Sequence, residues 1–157
     1  MISYQGEIVI IRPVSEVFDY ATAIENFPKW SDTHSVTRLS NGAVGVGSRL
    51  LFDMGRGPMR SQIEFDTIEW EPDRKWAFKS VSKGPIGWSG MYGFEDLGAS
   101  STKVTMEGEI NLRGWRRLLE PVVRAELRKS EQAELEKLKA LIENGSGPPI
   151  AGSGLSS

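Results

Sequence analysis

Cysteine is absent from the 157 residues, which removes disulfides, thiolate nucleophiles and cysteine-based structural zinc sites together. Histidine occurs once, as His34; metal ligation and catalytic triads both need partners, so a structural or surface role is expected for it. Ser31 and Asp32 lie beside it in the chain, but a triad is defined by geometry, and a local turn does not line up three such groups. No excess of either charge sign exists: 19 basic against 21 acidic residues leave a net charge of −2. Nucleic-acid binding needs a concentrated basic face, so that class is excluded. No run approaches the roughly 18 apolar residues of a membrane span, and MISYQGEIVIIRP lacks the basic and apolar regions of a signal peptide. A cytoplasmic protein without an integral membrane segment is therefore expected. GAVGVG (42–47) leads into a strand and carries no P-loop lysine, so it reads as a turn-rich loop.

What the chain does contain is alternation. After an apolar opening strand, in which Ile8 to Ile11 read as covered on both faces, Arg12-Pro13 ends the strand and Pro13 opens a short helix to about Ala21. Thr22-Ala-Ile-Glu25 has the capping-box pattern that would start a second short helix, limited by Pro28. From Val36 to Leu112, about six strands are separated by turn residues such as Asn41-Gly42, Glu71-Pro72-Asp73-Arg74 and Leu97-Gly98. Each strand has an apolar side: Ser48, Leu50, Phe52 and Met54; Trp76, Phe78 and Ser80; Trp88, Gly90, Tyr92 and Phe94; Val104, Met106, Gly108, Ile110 and Leu112. The parity shift from Ile63 and Phe65 to Ile68 and Trp70 predicts a bulge near Asp66-Thr67 that curves the sheet.

A long helix is predicted from about Trp115 to Asn144, with Leu119, Val123, Leu127, Leu135, Leu138, Leu141 and Ile142 on its buried side. Pro121 kinks it or marks its true first turn, and Leu118 and Val122 point away from the stripe. Its charged side, with Glu134 to Lys137 and Glu136 to Lys139 at i, i+3, reads as solvated. Residues 1–144 form one expected domain. The Gly/Ser/Pro-rich stretch 145–157 is expected to be a disordered tail.

No paired carboxylates or metal-ligand cluster announce an enzyme, since Glu64, Asp66, Glu107 and Glu109 fall on outward parity. The unusual feature is the inner aromatic load, set among small or polar residues of the same parity: Ser61, Ser80, Gly90, Gly108 and Tyr92. Two readings stand: a filled core, or an apolar pocket with a few polar contacts. The pocket reading places Trp30, Phe52, Phe65, Trp76, Phe78, Ser80, Trp88, Tyr92, Met106, Trp115, Leu119 and Val123 on its wall. Tyr92 is the candidate proton donor, with Ser80 behind it; a packed tyrosine with a satisfied hydroxyl is the alternative.

The motifs I-x-R-P-V-x-x-V-F-D-Y (Ile10 to Tyr20), N-F-P-K-W (Asn26 to Trp30), V-G-S-R (Val46 to Arg49), W-E-P-D-R (Trp70 to Arg74), G-F-E-D-L-G with S-T-K-V-T (Gly93 to Thr105) and L-K-A-L-I-E (Leu138 to Glu143) together resemble the START-like (SRPBCC) helix-grip superfamily, in its polyketide cyclase/dehydrase-like branch. The resemblance covers about Ser3 to Glu143. It implies an α+β fold: a curved antiparallel sheet of about seven strands gripping the C-terminal helix around an apolar cavity, closed by the two short helices. The inner aromatic wall and the missing catalytic groups make binding of a small apolar molecule, lipid-like or polyketide-like, the leading expectation, with no cofactor or metal. Cyclase/dehydratase activity in the same cavity is the second expectation, and a ligand-free interaction module the third. The two short helices would bring Phe18, Phe27 and Trp30 inward as cover.

Overall fold

The computed structural model describes residues 1–57, 60–81, 84 and 86–146. Strand β1 (Ile2–Ile10) is followed by α1 (Val14–Thr22), a 3₁₀ turn (Ile24–Asn26) and α2 (Phe27–Trp30). Strands β2 (Thr33–Arg38), β3 (Arg49–Met54), β4 (Ser61–Glu71), β5 (Lys75–Ser80), β6 (Ile86–Gly98) and β7 (Ser101–Leu112) complete the sheet. A 3₁₀ segment (Gly114–Leu119) then leads into α3 (Glu120–Leu141), which ends in a π turn (Ile142–Ser146). The seven strands lie in the order β1-β7-β6-β5-β4-β3-β2, every pair antiparallel. This is the α+β helix-grip architecture. The β4–β5 register slips between Thr67 and Glu69, where the parity shift placed a bulge.

Why the sheet curls around α3 follows from where the apolar side chains fall. Ile2, Ile10, Val104, Ile110 and Leu112 of the inner face are buried with Leu135, Leu138 and Ile142 in one core. At Gly6 a Cβ would meet Leu135 Cδ1 at 3.3 Å, so the missing side chain lets helix and strand approach closely. Side chains clamp the far end of this contact. Lys139 Nζ donates to Val9 O at 2.7 Å, the Ile11 amide donates to Glu143 Oε2 at 2.7 Å, and the Arg12 guanidinium donates to Glu143 O at 2.6 Å. The first half of α3 is looser. Val123 and Leu127 are half-buried, whereas Leu118 and Val122 are exposed.

Several expectations are corrected by the structure. Strand β1 is an edge strand covered on one face only, and Val9 and Ile11 are exposed, because α3 lies on the inner side alone. Thr22 does not cap the turn that follows it: as the last residue of α1 it donates from Oγ1 to Phe18 O at 2.7 Å. The long helix begins at Glu120 rather than near Trp115. Pro121 occupies its first turn, where the missing N–H costs nothing, and the residues before it wind as a tighter 3₁₀ segment. Neither expected i, i+3 pair on the helix forms; Lys139 pairs instead with Glu143 at 2.6 Å. Of the expected tail 145–157, residues 145 and 146 belong to the π turn, and the rest lies outside the described residues.

Candidate functional site

Between the N-terminal half of α3 and the inner face of the sheet lies a cavity of about 760 Å³. Its wall is built from alternate residues of the central strands: Phe52 from β3, Phe65 and Thr67 from β4, Trp76 and Phe78 from β5, Trp88 and Tyr92 from β6, and Met106 from β7. α2 adds Phe27 and Trp30, and α3 roofs it with Val123, Leu127, Glu131 and Glu134. Exposed residues of the lining include Arg56 and Gly57 after β3 and Val122, Glu126, Lys129 and Lys137 on α3.

The rings support one another. Phe27 lies 5.3 Å from Phe52 and 5.4 Å from Trp76 in edge-to-face geometry, and Tyr92 lies 5.9 Å from Phe78 and 6.0 Å from Trp76. Two of the indoles are hydrogen-bonded: Trp76 Nε1 donates to Thr67 Oγ1 at 3.1 Å and Trp88 Nε1 to the Tyr4 hydroxyl at 2.9 Å. The third, Trp30, is fully buried, and its Nε1 has no partner among the described residues.

A row across four strands places Tyr4. Tyr4 pairs with Gly108, Gly108 with Gly90, and Gly90 with Phe78. With two glycines beside it, the tyrosine ring lies over the sheet. Its hydroxyl would sit 2.5 Å from a Cβ at position 108 and 2.9 Å from one at position 90. The glycines, read in the sequence as space left open, are thus covered by a residue that the alternation does not single out.

The polar groups of the chamber come from strands and helix alike. The Tyr92 hydroxyl has no hydrogen-bond partner among the described residues. Burial raises its pKa well above the ordinary phenol value, and the nearby Tyr4 and Glu134 add to the effect. Tyr4 is raised too, chiefly by burial, against the opposing hydrogen bond from Trp88. Glu134 accepts from the Asp32 amide through Oε2 at 3.2 Å, tying α3 to the segment after α2. Burial pushes its carboxyl up to about 7; the Asp32 amide and Lys137 oppose the rise, and the charges of Asp32 and Glu131 reinforce it. Glu131 is raised as well, mainly by burial, and its Oε2 is unpartnered among the described residues. A carboxyl that titrates near neutrality in an apolar chamber can give or take a proton, and a free phenol can donate a hydrogen bond.

Set against the sequence reading, Trp30, Phe52, Phe65, Trp76, Phe78, Trp88, Tyr92, Met106 and Val123 border the cavity. Ser80, Trp115 and Leu119 do not. The Ser80 hydroxyl sits at the end of β5 and accepts from the Trp88 amide at 3.0 Å. Trp115 is 56% exposed, turned outward by the 3₁₀ segment, with the Arg116 guanidinium 4.8 Å from its ring. Leu119 is the residue at which α3 is capped. Phe18, grouped with Phe27 and Trp30 as cover, is buried elsewhere, against Trp70 and Phe94, both at 5.1 Å. His34 bonds the Gly55 carbonyl at 2.9 Å, and Ser31 bonds Phe27 O and Thr33 Oγ1, so no triad forms. Glu134, Tyr4 and Thr67 escape the sequence reading. The i, i+3 spacing of Glu134 with Lys137 reads as a solvated face, although Glu134 lies one residue before the stripe position Leu135.

The fold and its chamber define a helix-grip domain of the START-like kind. The chain belongs to the family described as polyketide cyclase/dehydrase and lipid transport, whose profile matches residues 1–143. Among solved structures, the Zhui aromatase/cyclase from Streptomyces sp. R1128 superposes with a TM-score of 0.78 at 14% identity, over 96% of this chain and 98% of that one. TTHA0849 from Thermus thermophilus gives 0.75 at 18% identity, over 92% and 99%. The di-domain aromatase/cyclase BexL of the BE-7585A biosynthetic pathway gives 0.71 at 20% identity over 94% of this chain, which spans 48% of that longer one. At these identities the likeness is one of fold. No curated protein sequence matches the chain, and among the described residues no helix is long and apolar enough to cross a membrane.

Proposed function

We propose that this domain, residues 1–144, binds one small hydrophobic molecule, lipid-like or aromatic and polyketide-like, in the chamber under α3. The observation that carries the reading is the cavity of about 760 Å³ walled by aromatic rings, within the range of about 300–1,000 Å³ found for small-molecule pockets. A filled core of the same residues would leave no such volume. The family's description, which includes lipid transport as well as cyclisation, supports a ligand of this class. Hexadecanol and a tricyclic aromatic ketone, tested by native mass spectrometry and thermal shift, are expected to give a 1:1 adduct and a raised Tm for at least one of them. Leu127→Trp, which fills the chamber from its roof, is expected to abolish both signals. Absence of any adduct, or adducts insensitive to Leu127→Trp, would overturn the reading.

A second reading, cyclisation or dehydration in the same chamber, is favoured by the unpartnered Tyr92 hydroxyl beside a carboxyl that titrates near neutrality. In it, Tyr92 donates a hydrogen bond to a ligand carbonyl while Glu134 moves the proton. Tyr92→Phe is expected to lower turnover of any converted polyketone by about 10²-fold or more; unchanged turnover would remove Tyr92 from the mechanism.

A further inference from the structure

The chamber's charge inventory narrows the ligand further than its shape does. Among the described residues, every ionisable side chain of the cavity wall that is not exposed is acidic or phenolic: Asp32, Glu131, Glu134, Tyr4 and Tyr92. The cations of the wall, Arg56, Lys129 and Lys137, are all exposed, and Arg56 is engaged with Asp32 at 3.3 Å. An anionic headgroup placed beside Glu134 would face carboxyls, phenol oxygens and ring π-systems, and the one cation near it, Lys137, is exposed. A wholly neutral, donor-free molecule would leave the buried Glu131 Oε2 without a partner and would bring no donor to Glu134, which accepts from the described residues through Oε2 alone. A protonated amine answers both: it pairs with the carboxylate, donates to the Tyr92 oxygen, and lies among rings whose faces attract cations. The Tyr92 hydroxyl, without a partner among the described residues, is a second, independent vacancy in the same chamber.

We propose that the molecule bound here is an aromatic or apolar body carrying a basic nitrogen, held as an ammonium between Glu134 and the aromatic wall. The inference rests on the reading of the chamber as a ligand site and specifies its ligand class. The groups facing Glu134 are Asp32 after α2, Tyr4 from β1, Tyr92 from β6, and Glu131 and Lys137 from α3. Lys137 is the only cation among them. Pairing with an ammonium requires the ionised carboxylate, so below neutral pH binding must expel the proton that Glu134 holds in the free protein.

Three probes of one shape test this: 1-naphthylmethylamine, 1-naphthalenemethanol and 1-naphthoic acid, titrated calorimetrically against the wild type and Glu134→Gln. The wild type is expected to bind the ammonium about tenfold more tightly than the alcohol, and the acid least. Glu134→Gln is expected to erase the ammonium's advantage, bringing its affinity to that of the alcohol in the same variant, and 1:1 binding of the alcohol shows that the variant's chamber is intact. At about pH 6, repeating the wild-type titration in two buffers of different ionisation enthalpy is expected to show proton release with the ammonium and none with the alcohol. Equal affinities for ammonium and alcohol, an advantage that survives Glu134→Gln, or no proton release would overturn the amine inference while the alcohol's binding keeps the cavity reading. If none of the three probes binds, both fall.

Discussion

Tyr4 and Gly108 face each other across the first and last strands so closely that a Cβ on Gly108 would lie 2.5 Å from the tyrosine hydroxyl and 2.6 Å from its Cζ. The Ser89 carbonyl stands at 2.6 Å from the same point. This relationship sets how the chamber's closed side is built: the ring lies over two glycines and its hydroxyl receives Trp88 Nε1 at 2.9 Å.

Gly108→Ala is therefore expected to destabilise the protein by about 2–3 kcal/mol, because ring and backbone must both move to admit a methyl group. Urea unfolding measures the loss. A change below about 0.5 kcal/mol would show that the ring is not confined there.

Tyr4→Phe keeps the ring and removes the acceptor for Trp88 Nε1. A buried indole N–H without a partner costs about 1–3 kcal/mol. The expected outcome is a stability loss in that range together with an upfield shift of one indole N–H resonance, the others staying in place.

Glu134→Gln is expected to stabilise the protein in a pH-dependent way. The carboxyl's pKa is raised by burial to about 7 from 4.5, so the native state holds a proton that the unfolded chain has released between those values. Stability is thus lost as pH rises from about 4.5 to about 7 and stays lost above it. Gln keeps the acceptor for the Asp32 amide and cannot ionise. The variant's stability relative to wild type is expected to rise by up to about 3 kcal/mol between pH 4 and pH 8, read from unfolding midpoints across that range. A flat difference would place the carboxyl in solvent.

Glu143→Ala acts in the opposite window. Burial alone would raise this carboxyl, but the Ile11 amide, Lys139 and Arg12 together outweigh it and hold the pKa below the usual value. Its contribution is present above the unfolded pKa and lost as pH falls through the lower folded one. At neutral pH the variant is expected to lose about 1 kcal/mol and to exchange the Ile11 amide hydrogen faster. As pH falls through that lowered folded pKa, the two proteins are expected to converge.

Period-two alternation alone puts Phe52, Phe65, Trp76, Phe78, Trp88, Tyr92 and Met106 on inward-facing positions, because strand parity is a local property of the backbone. The family is legible for a related reason: its motifs are turn, cap and packing positions, which the chain carries in order. Helix phase is legible only where the helix exists. Trp115 and Leu119 fall outside the pocket because the α-helix starts at Glu120, and a 3₁₀ segment turns side chains through a different angle per residue.

The sequence by itself determined the order of the elements, the apolar face of each strand and the absence of cysteine chemistry. Only the tertiary structure decided that the inner face encloses a chamber, that Tyr4 occupies the space over two glycines, and that Glu134 stands inside. Those facts depend on pairs such as Tyr4 with Gly108 and Asp32 with Glu134, about 100 residues apart in the chain. The dielectric around a carboxylate is set by what packs on it, and spacing along one helix contains no information about the sheet opposite.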